Sequence, residues 1–327
     1  MKACWFEAFG SAADVLQRGD WPAPEPNPGE VLVQLRTTGV NPSDVKKRAG
    51  AFPDLLVAGP VIPHSDGAGV ISAVGEGVSP SRVGERVFVY QAQYARQLGT
   101  AAEFVALDSA RAPVLPDNAS FEVGACVGIP ILTAHRCVFA DGPITDQRVL
   151  VTGGAGRVGH YAIQWARRAG ARVIATASNE QDASACREAG AEAVVNHRES
   201  DWGKAVSDLT DDQKIDRVID VEFGANLPEL LKCVRIGATI ATYSSTVVPE
   251  PNLPFRTMMF MDLTVRMVIV YAMPEDAKAQ AVMDTQTALA EEGLRHRIAA
   301  TLPFDEMAEA HEIIEAGEVR GCVVVSI

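Results

Sequence analysis

The chain has 327 residues, 47% hydrophobic and 22% charged, enough for about two domains with a large core. A net charge of −13 argues against nucleic acid and anionic membrane as partners, so any bound phosphate must be held by a local feature. No apolar run reaches the length of a membrane span, and the opening MKACWFEAFG lacks the long apolar core of a signal peptide; a cytoplasmic protein is expected.

Residues 1–122 read as β-rich. Val31 to Leu35 alternates like a strand, as do Gly67 to Val74 and Arg86 to Tyr90. Pro22, Pro24, Pro26 and Pro28 precede the first of these, and a polar loop from Gln91 to Thr100 follows the third. Many short strands with frequent turn signals predict a partly open β-barrel. From Ser120, a plausible N-cap, the period becomes helical, with Pro130 predicting a kink or two helices.

Strand and helix then alternate. Strands are predicted at Val149–Val151, Val173–Ala177, Ala193–Asn196, Arg217–Val221, Thr239–Tyr243 and Leu263–Val270. The segments between them carry helical patterns, and this rhythm implies a parallel sheet covered on both faces. We read residues 123–266 as a six-stranded Rossmann domain. A long helix, Pro274–Glu292, a short piece, Arg297–Pro303, and a helix, Phe304–Ala316, lead to a last strand, Cys322–Ile327. That strand is assigned back to the first domain, which then comprises residues 1–122 and 267–327.

The sharpest local signal lies between the first strand and helix of the alternating region. Gly154-Ala155-Gly156-Arg157-Val158-Gly159 fits G-x-G-x-x-G and follows Gly153. A tight turn, a close backbone approach to a pyrophosphate and close helix packing all favour glycine. The helix N-terminus adds N–H groups and partial positive charge, so these residues are candidate dinucleotide ligands. The next strand ends Ala177-Ser178-Asn179 without the carboxylate that binds a ribose 2′-hydroxyl in NAD sites, and Glu180 opens the following helix. Ser178 and Asn179 leave room for a 2′-phosphate. Arg198, after His197 at the end of the third strand, is placed to pair with it. NADPH is therefore expected rather than NADH. The six cysteines form no C-x-x-C and no cluster with histidine, so they read as buried small hydrophobes and no metal is expected.

Several stretches are similar to the zinc-free quinone oxidoreductase (zeta-crystallin-like) branch of the medium-chain dehydrogenase/reductase superfamily. They are Gly39 to Asp44, Asp66 to Ile71, Gly84 to Phe88, Gly128 to Ala134, Asn196 to Glu199 and Ala308 to Glu312. The resemblance implies a GroES-like barrel as catalytic domain, with the Rossmann domain inserted. Zinc enzymes of the superfamily supply cysteine where this chain has Pro42 or Ser43, and a His-Glu pair where it has Ser65-Asp66; His64 lies one place off. Without a thiolate, a tetrahedral zinc site has too few ligands.

The resemblance further makes Asn41 and Thr133 neighbours of the nicotinamide. It also brings Tyr243, Ser244, Ser245, Val268 and Val270 past the cofactor through their backbones. Lys46 stands where the family often has a tyrosine; it is a candidate donor, but it lies in a basic run that reads more readily as a solvated face. The expected activity is zinc-independent, NADPH-dependent hydride transfer to a quinone. The alternatives are a reductase of enones or enoyl thioesters and a non-catalytic NADPH-binding protein. The apolar edge strand Leu263–Val270 needs covering, which predicts a homodimer.

Overall fold

The computed structural model describes every residue except Asp212. The chain divides into two compact units, Met1–Ile129 with Val282–Ile327, and Pro130–Ala281. Both crossings fall inside helices, where composition gives no break.

The first unit opens with β1 (Lys2–Trp5), α1 (Ala12–Val15) and β2 (Gln17–Asp20), the two strands pairing antiparallel. Then come β3 (Glu30–Val40), α2 (Pro42–Arg48), β4 (Asp66–Val74), β5 (Arg86–Val89), β6 (Phe104–Asp108) and α3 (Phe121–Gly124). The second unit runs from α4 (Ile129–Phe139) through β7 (Arg148–Val151), α5 (Arg157–Arg168), β8 (Arg172–Ala177), α6 (Glu180–Glu188) and β9 (Ala193–Asn196). It continues with α7 (Trp202–Asp208), β10 (Ile215–Asp220), α8 (Phe223–Cys233), β11 (Val234–Thr242), α9 (Phe255–Phe260) and β12 (Thr264–Met267). Helix α10 (Glu275–Ala290) leads back to β13 (Ile298–Pro303), α11 (Met307–Ala316) and β14 (Cys322–Ser326).

Strand β3 organises the first unit. Its register against β4 shifts between Leu32 and Val33 and between Leu35 and Thr37. Such irregularities bend a strand and sharpen its twist. Its first half, Glu30–Gln34, pairs with β6, and its last part, Thr37–Val40, pairs antiparallel with β14. The sheet order β13-β14-β3-β4-β5, with β6 also on β3, is the partly open barrel expected, and the last strand returns to it. Val31, Val33, Leu35, Ile71, Val87, Val89, Val105 and Leu107 fill its core. Burying each such side chain stabilises by about 1.5–3 kcal/mol.

The second unit holds six parallel strands in the order β12-β11-β10-β7-β8-β9. The chain order reverses beside β7, which makes the crevice between the carboxyl ends of β7 and β10 the place where such sheets bind ligands.

Local signals explain most of these elements. Ser120 caps α3 by accepting from the Val123 amide at 3.3 Å, and Pro130 sits in the first turn of α4, so the helical stretch is two helices. Two expectations change. Helix α2 lies within a stretch read as β-rich. The strand Leu263–Val270 is shorter, ending at Met267; Val268 still donates to Thr242 O at 2.7 Å, but β11 stops there, and Val270 opens a 3₁₀ turn.

Candidate functional site

The glycine turn joins β7 to α5. Gly153 carries the positive φ, +59°, one residue before the G-x-G-x-x-G run. Thr176, near the end of β8, holds the turn: its hydroxyl accepts from Gly153 N at 3.0 Å and its carbonyl from Gly154 N at 2.9 Å. Gly156 N donates to Gly153 O at 2.9 Å. The amides of these three glycines are thus used inside the turn. Anion binding falls to the first turn of α5, where Val158 and Gly159 have no helical carbonyl four residues back. A Cβ on Gly159 would lie 2.5 Å from Gly153 O, so only glycine lets α5 start this close to the turn. Ala155 is buried, and Arg157 half-buried at the first helical position.

A buried carboxylate ties the neighbouring strand tips together. Asp220, at the end of β10, accepts from Thr152 Oγ1 at 2.7 Å, Asn226 Nδ2 at 2.8 Å and Thr242 Oγ1 at 3.3 Å. Burial raises its pKa, and these hydrogen bonds oppose the rise.

Ala177 of β8 and Asn196 of β9 are register partners, so Ser178 and Asn179 leave one strand tip beside His197 and Arg198 leaving the next. His197 N donates to Ala177 O at 3.1 Å, and the Arg198 side chain is exposed. Asn179 is the N-cap of α6: its Oδ1 accepts from Asp182 N at 2.8 Å. Ser178, half-buried, is the first residue beyond the end of β8. Tyr243 N donates to Asp220 O at 3.1 Å, and Ser244 O accepts from Phe223 N at 3.0 Å. The Ser245 hydroxyl is committed to Gly224 N and Val248 O. Val268 and Val270 are buried, as is Thr133 on α4. The turn, the open helix start and the absence of a carboxylate at Ser178 fit a dinucleotide carrying a 2′-phosphate.

The first unit contributes a buried polar centre around β4. Asn41 precedes α2; its backbone amide donates to Asp44 Oδ2 at 2.9 Å and its Nδ2 to Asp66 Oδ2 at 2.8 Å. Ile129 N donates to the same Asp66 oxygen at 2.8 Å. Burial pushes the Asp66 carboxyl up to about 8 against that amide bond. Burial likewise takes Asp44 to about 6, opposed by Lys47, and lowers Lys47. Lys47 Nζ donates to the carbonyl and Oε1 of Gln93, both at 2.7 Å. Lys46 is exposed, so the buried lysine of the pair is Lys47.

His64 is fully buried at φ +75°. Its Nδ1 meets Thr38 Oγ1 at 2.9 Å and its Nε2 meets His311 Nε2 at 2.9 Å. Both ring nitrogens are engaged, and among the described residues no three His, Cys, Asp or Glu side chains gather as a metal site. The residues here do not fit zinc.

Asp44, Asp66, Lys47, Gln93 and His311 were not singled out as site residues from sequence. Asp66 offered a signal, a carboxylate opening an otherwise apolar strand segment. His311 and Gln93 offered none, since their partners are distant in the chain.

Two family descriptions match the chain, an alcohol dehydrogenase GroES-like domain over residues 27–117 and a zinc-binding dehydrogenase over residues 158–286. The chain is 30% identical over 318 residues to a quinone oxidoreductase of Homo sapiens, covering 97% of this chain and 94% of that one. It is 29% identical to a quinone oxidoreductase of Pseudomonas aeruginosa, over 99% of each. A mycobacterial protein solved in complex with NADPH superposes with a TM-score of 0.87 at 27% identity, over the full length of both chains. The chain belongs to the quinone oxidoreductase branch of the medium-chain dehydrogenase/reductase superfamily.

Proposed function

We propose that this protein is a zinc-independent, NADPH-dependent oxidoreductase that delivers hydride to a quinone. The observation that carries the reading is the glycine turn and open helix start of the second unit, which fit a dinucleotide; in the first unit both ring nitrogens of His64 are engaged by Thr38 and His311. The quinone oxidoreductase names of the relatives and the NADPH of the mycobacterial structure support it.

NADPH, when bound, supplies the hydride. The first turn of α5 holds the pyrophosphate with Val158 and Gly159 amides and the positive helix end, braced by Arg157. Ser178 and Arg198 take the 2′-phosphate, with Asn179 and His197 shaping that pocket. Thr133 and the backbones around Tyr243, Ser244, Ser245, Val268 and Val270 orient the nicotinamide. Asn41 has a second amide hydrogen besides the one given to Asp66, and it donates to the acceptor oxygen on which charge develops. A quinone spreads incoming charge onto oxygen, so one such donor suffices where an alcohol substrate would need a Lewis acid. The protein acts as a homodimer in the cytoplasm.

Anaerobic NADPH oxidation by an ortho-quinone, before and after dialysis against a chelator, tests the reading. Turnover that survives dialysis is expected. Turnover lost on dialysis and restored by zinc would overturn metal independence.

A further inference from the structure

We propose that Asp66 is the positioning residue for Asn41, fixing the face of the Asn41 carboxamide that meets the acceptor. The proposal rests on the reading that Asn41 donates to the acceptor oxygen.

Asn41 opens α2 through a capping box: its side chain meets the Asp44 amide, and the Asp44 carboxylate meets the Asn41 amide. It sits at φ −112° and ψ 157° before Pro42, with its N–H on Asp44 Oδ2. The remaining ambiguity is a flip of the carboxamide, which exchanges Oδ1 and Nδ2 at almost no change in shape. The two flipped states are opposites in hydrogen bonding: one presents donors, the other an acceptor.

Asp66 decides between them. Its Oδ2 receives Asn41 Nδ2 and Ile129 N, each at 2.8 Å. A flipped Asn41 would set its own oxygen against that oxygen. The carboxyl packs directly against the bare backbone of Gly128, where a Cβ would stand 2.0 Å from Oδ1. Asp66 is fully exposure-free, so no water replaces it as the acceptor on this side. Burial pushes the carboxyl up to about 8, which favours its neutral form at neutral pH, and both donors converge on Oδ2. Asp66 therefore acts as an oriented carbonyl rather than as a charge. Orienting the amide in advance is what an oxyanion donor requires, since no reorganisation is then needed as charge develops.

The test is a double-mutant cycle on the full-length protein with NADPH and an ortho-quinone. Melting temperature and a fluorescence titration of NADPH serve as second readouts. Asp66→Ser should lower kcat about 100-fold, the scale of a misplaced catalytic group, with the NADPH Kd within about threefold. In an Asn41→Ala background the same change should cost no more than about twofold, because its effect runs through Asn41. Asp66→Asn should recover most of the loss, since its Oδ1 accepts both donors. Equal losses in both backgrounds would overturn the proposal. Unchanged kcat in Asn41→Ala removes the reading of Asn41 and the proposal with it, whereas an impaired Asn41→Ala with additive Asp66→Ser removes the proposal alone. If Asp66→Ser does not fold, Asp66→Asn decides: a folded, NADPH-binding variant with a loss of about 100-fold contradicts the carbonyl role.

Discussion

His64 and His311 stack in full burial, their Nε2 atoms 2.9 Å apart. One Nε2 must carry a hydrogen and the other must not. Thr100 gives its hydroxyl hydrogen to Asp66 O at 2.7 Å and lies 2.6 Å from Thr38 Oγ1, so Thr38 can donate to Thr100 and accept from His64 Nδ1. With that assignment His311 Nε2 donates to His64 Nε2 and neither ring needs a charge. Burial pushes both pKa values down, His311 to about 3 with Arg48 adding to the effect.

Acid should therefore attack this pair. A histidine depressed in the folded state contributes stability above its unfolded pKa near 6.5 that is lost as pH falls toward 3, by up to about 1.4 kcal/mol per pH unit. Asp44 and Asp66, both raised, pull the opposite way over part of that range. The comparison that isolates the pair is His311→Phe against the parent protein. The variant should be weaker at pH 7 by about 1–3 kcal/mol, because His64 loses a partner, and should lose less on acidification to pH 4.5. Urea midpoints across that range check it; parallel pH curves would refute the neutral pair.

Asp66 has a window of its own. Its folded pKa of about 8 lies above the unfolded value of 3.8, so the folded state holds the extra proton between them and stability falls as pH rises through that range. Between pH 6.5 and 8 the unfolded histidines still lose part of their protons, in parent and variant alike, so the difference between the two isolates Asp66. Melting temperature should drop over this interval in the parent protein and stay nearly level in Asp66→Asn. A drop of the same size in both would mean that Asp66 is ionised already at pH 6.5.

Arg198 leaves β9 next to the tip of β8 and has an exposed side chain. If it pairs with the 2′-phosphate, Arg198→Ala should raise the NADPH Kd about tenfold or more and leave the NADH Kd nearly unchanged, the loss expected for a charge-assisted hydrogen bond. Titrations of both nucleotides distinguish this from a general loss of binding.

The β/α alternation, the glycine turn and the return of the last strand were legible because each rests on local pattern. Glycine at Gly153 and Gly159, and the missing carboxylate at Ser178, are choices that a strand-turn-helix forces within a few residues. The polar centre was not legible. Lys46, Lys47 and Arg48 form one basic run, and only Lys46 is solvated. Lys47 is buried on Gln93, and Arg48 is buried on Gly10 O and the Glu315 carboxylate, partners that sequence spacing does not reveal. Likewise Asp66 reads as one more residue of a strand until Asn41 and Ile129 are seen to converge on it.

Strand β12 pairs with β11 on one side only. Its last residue, Met267, is 74% exposed, and Phe260, ahead of it in the chain, 78%. An apolar edge of this kind invites pairing with a second copy. The protein should run as a homodimer by light scattering at micromolar concentration, and Met267→Asp should shift it toward monomer. A monomeric parent protein would contradict the dimer.

Anaerobic NADPH oxidation should be followed with an ortho-quinone and a 2-enone in parallel, each with the parent protein and with Asn41→Ala. Fast quinone turnover, slow enone turnover and a loss of about 100-fold or more in Asn41→Ala are predicted, the scale of removing one oxyanion donor. Fast enone turnover with slow quinone turnover, or NADPH binding with neither rate above background, would contradict the account.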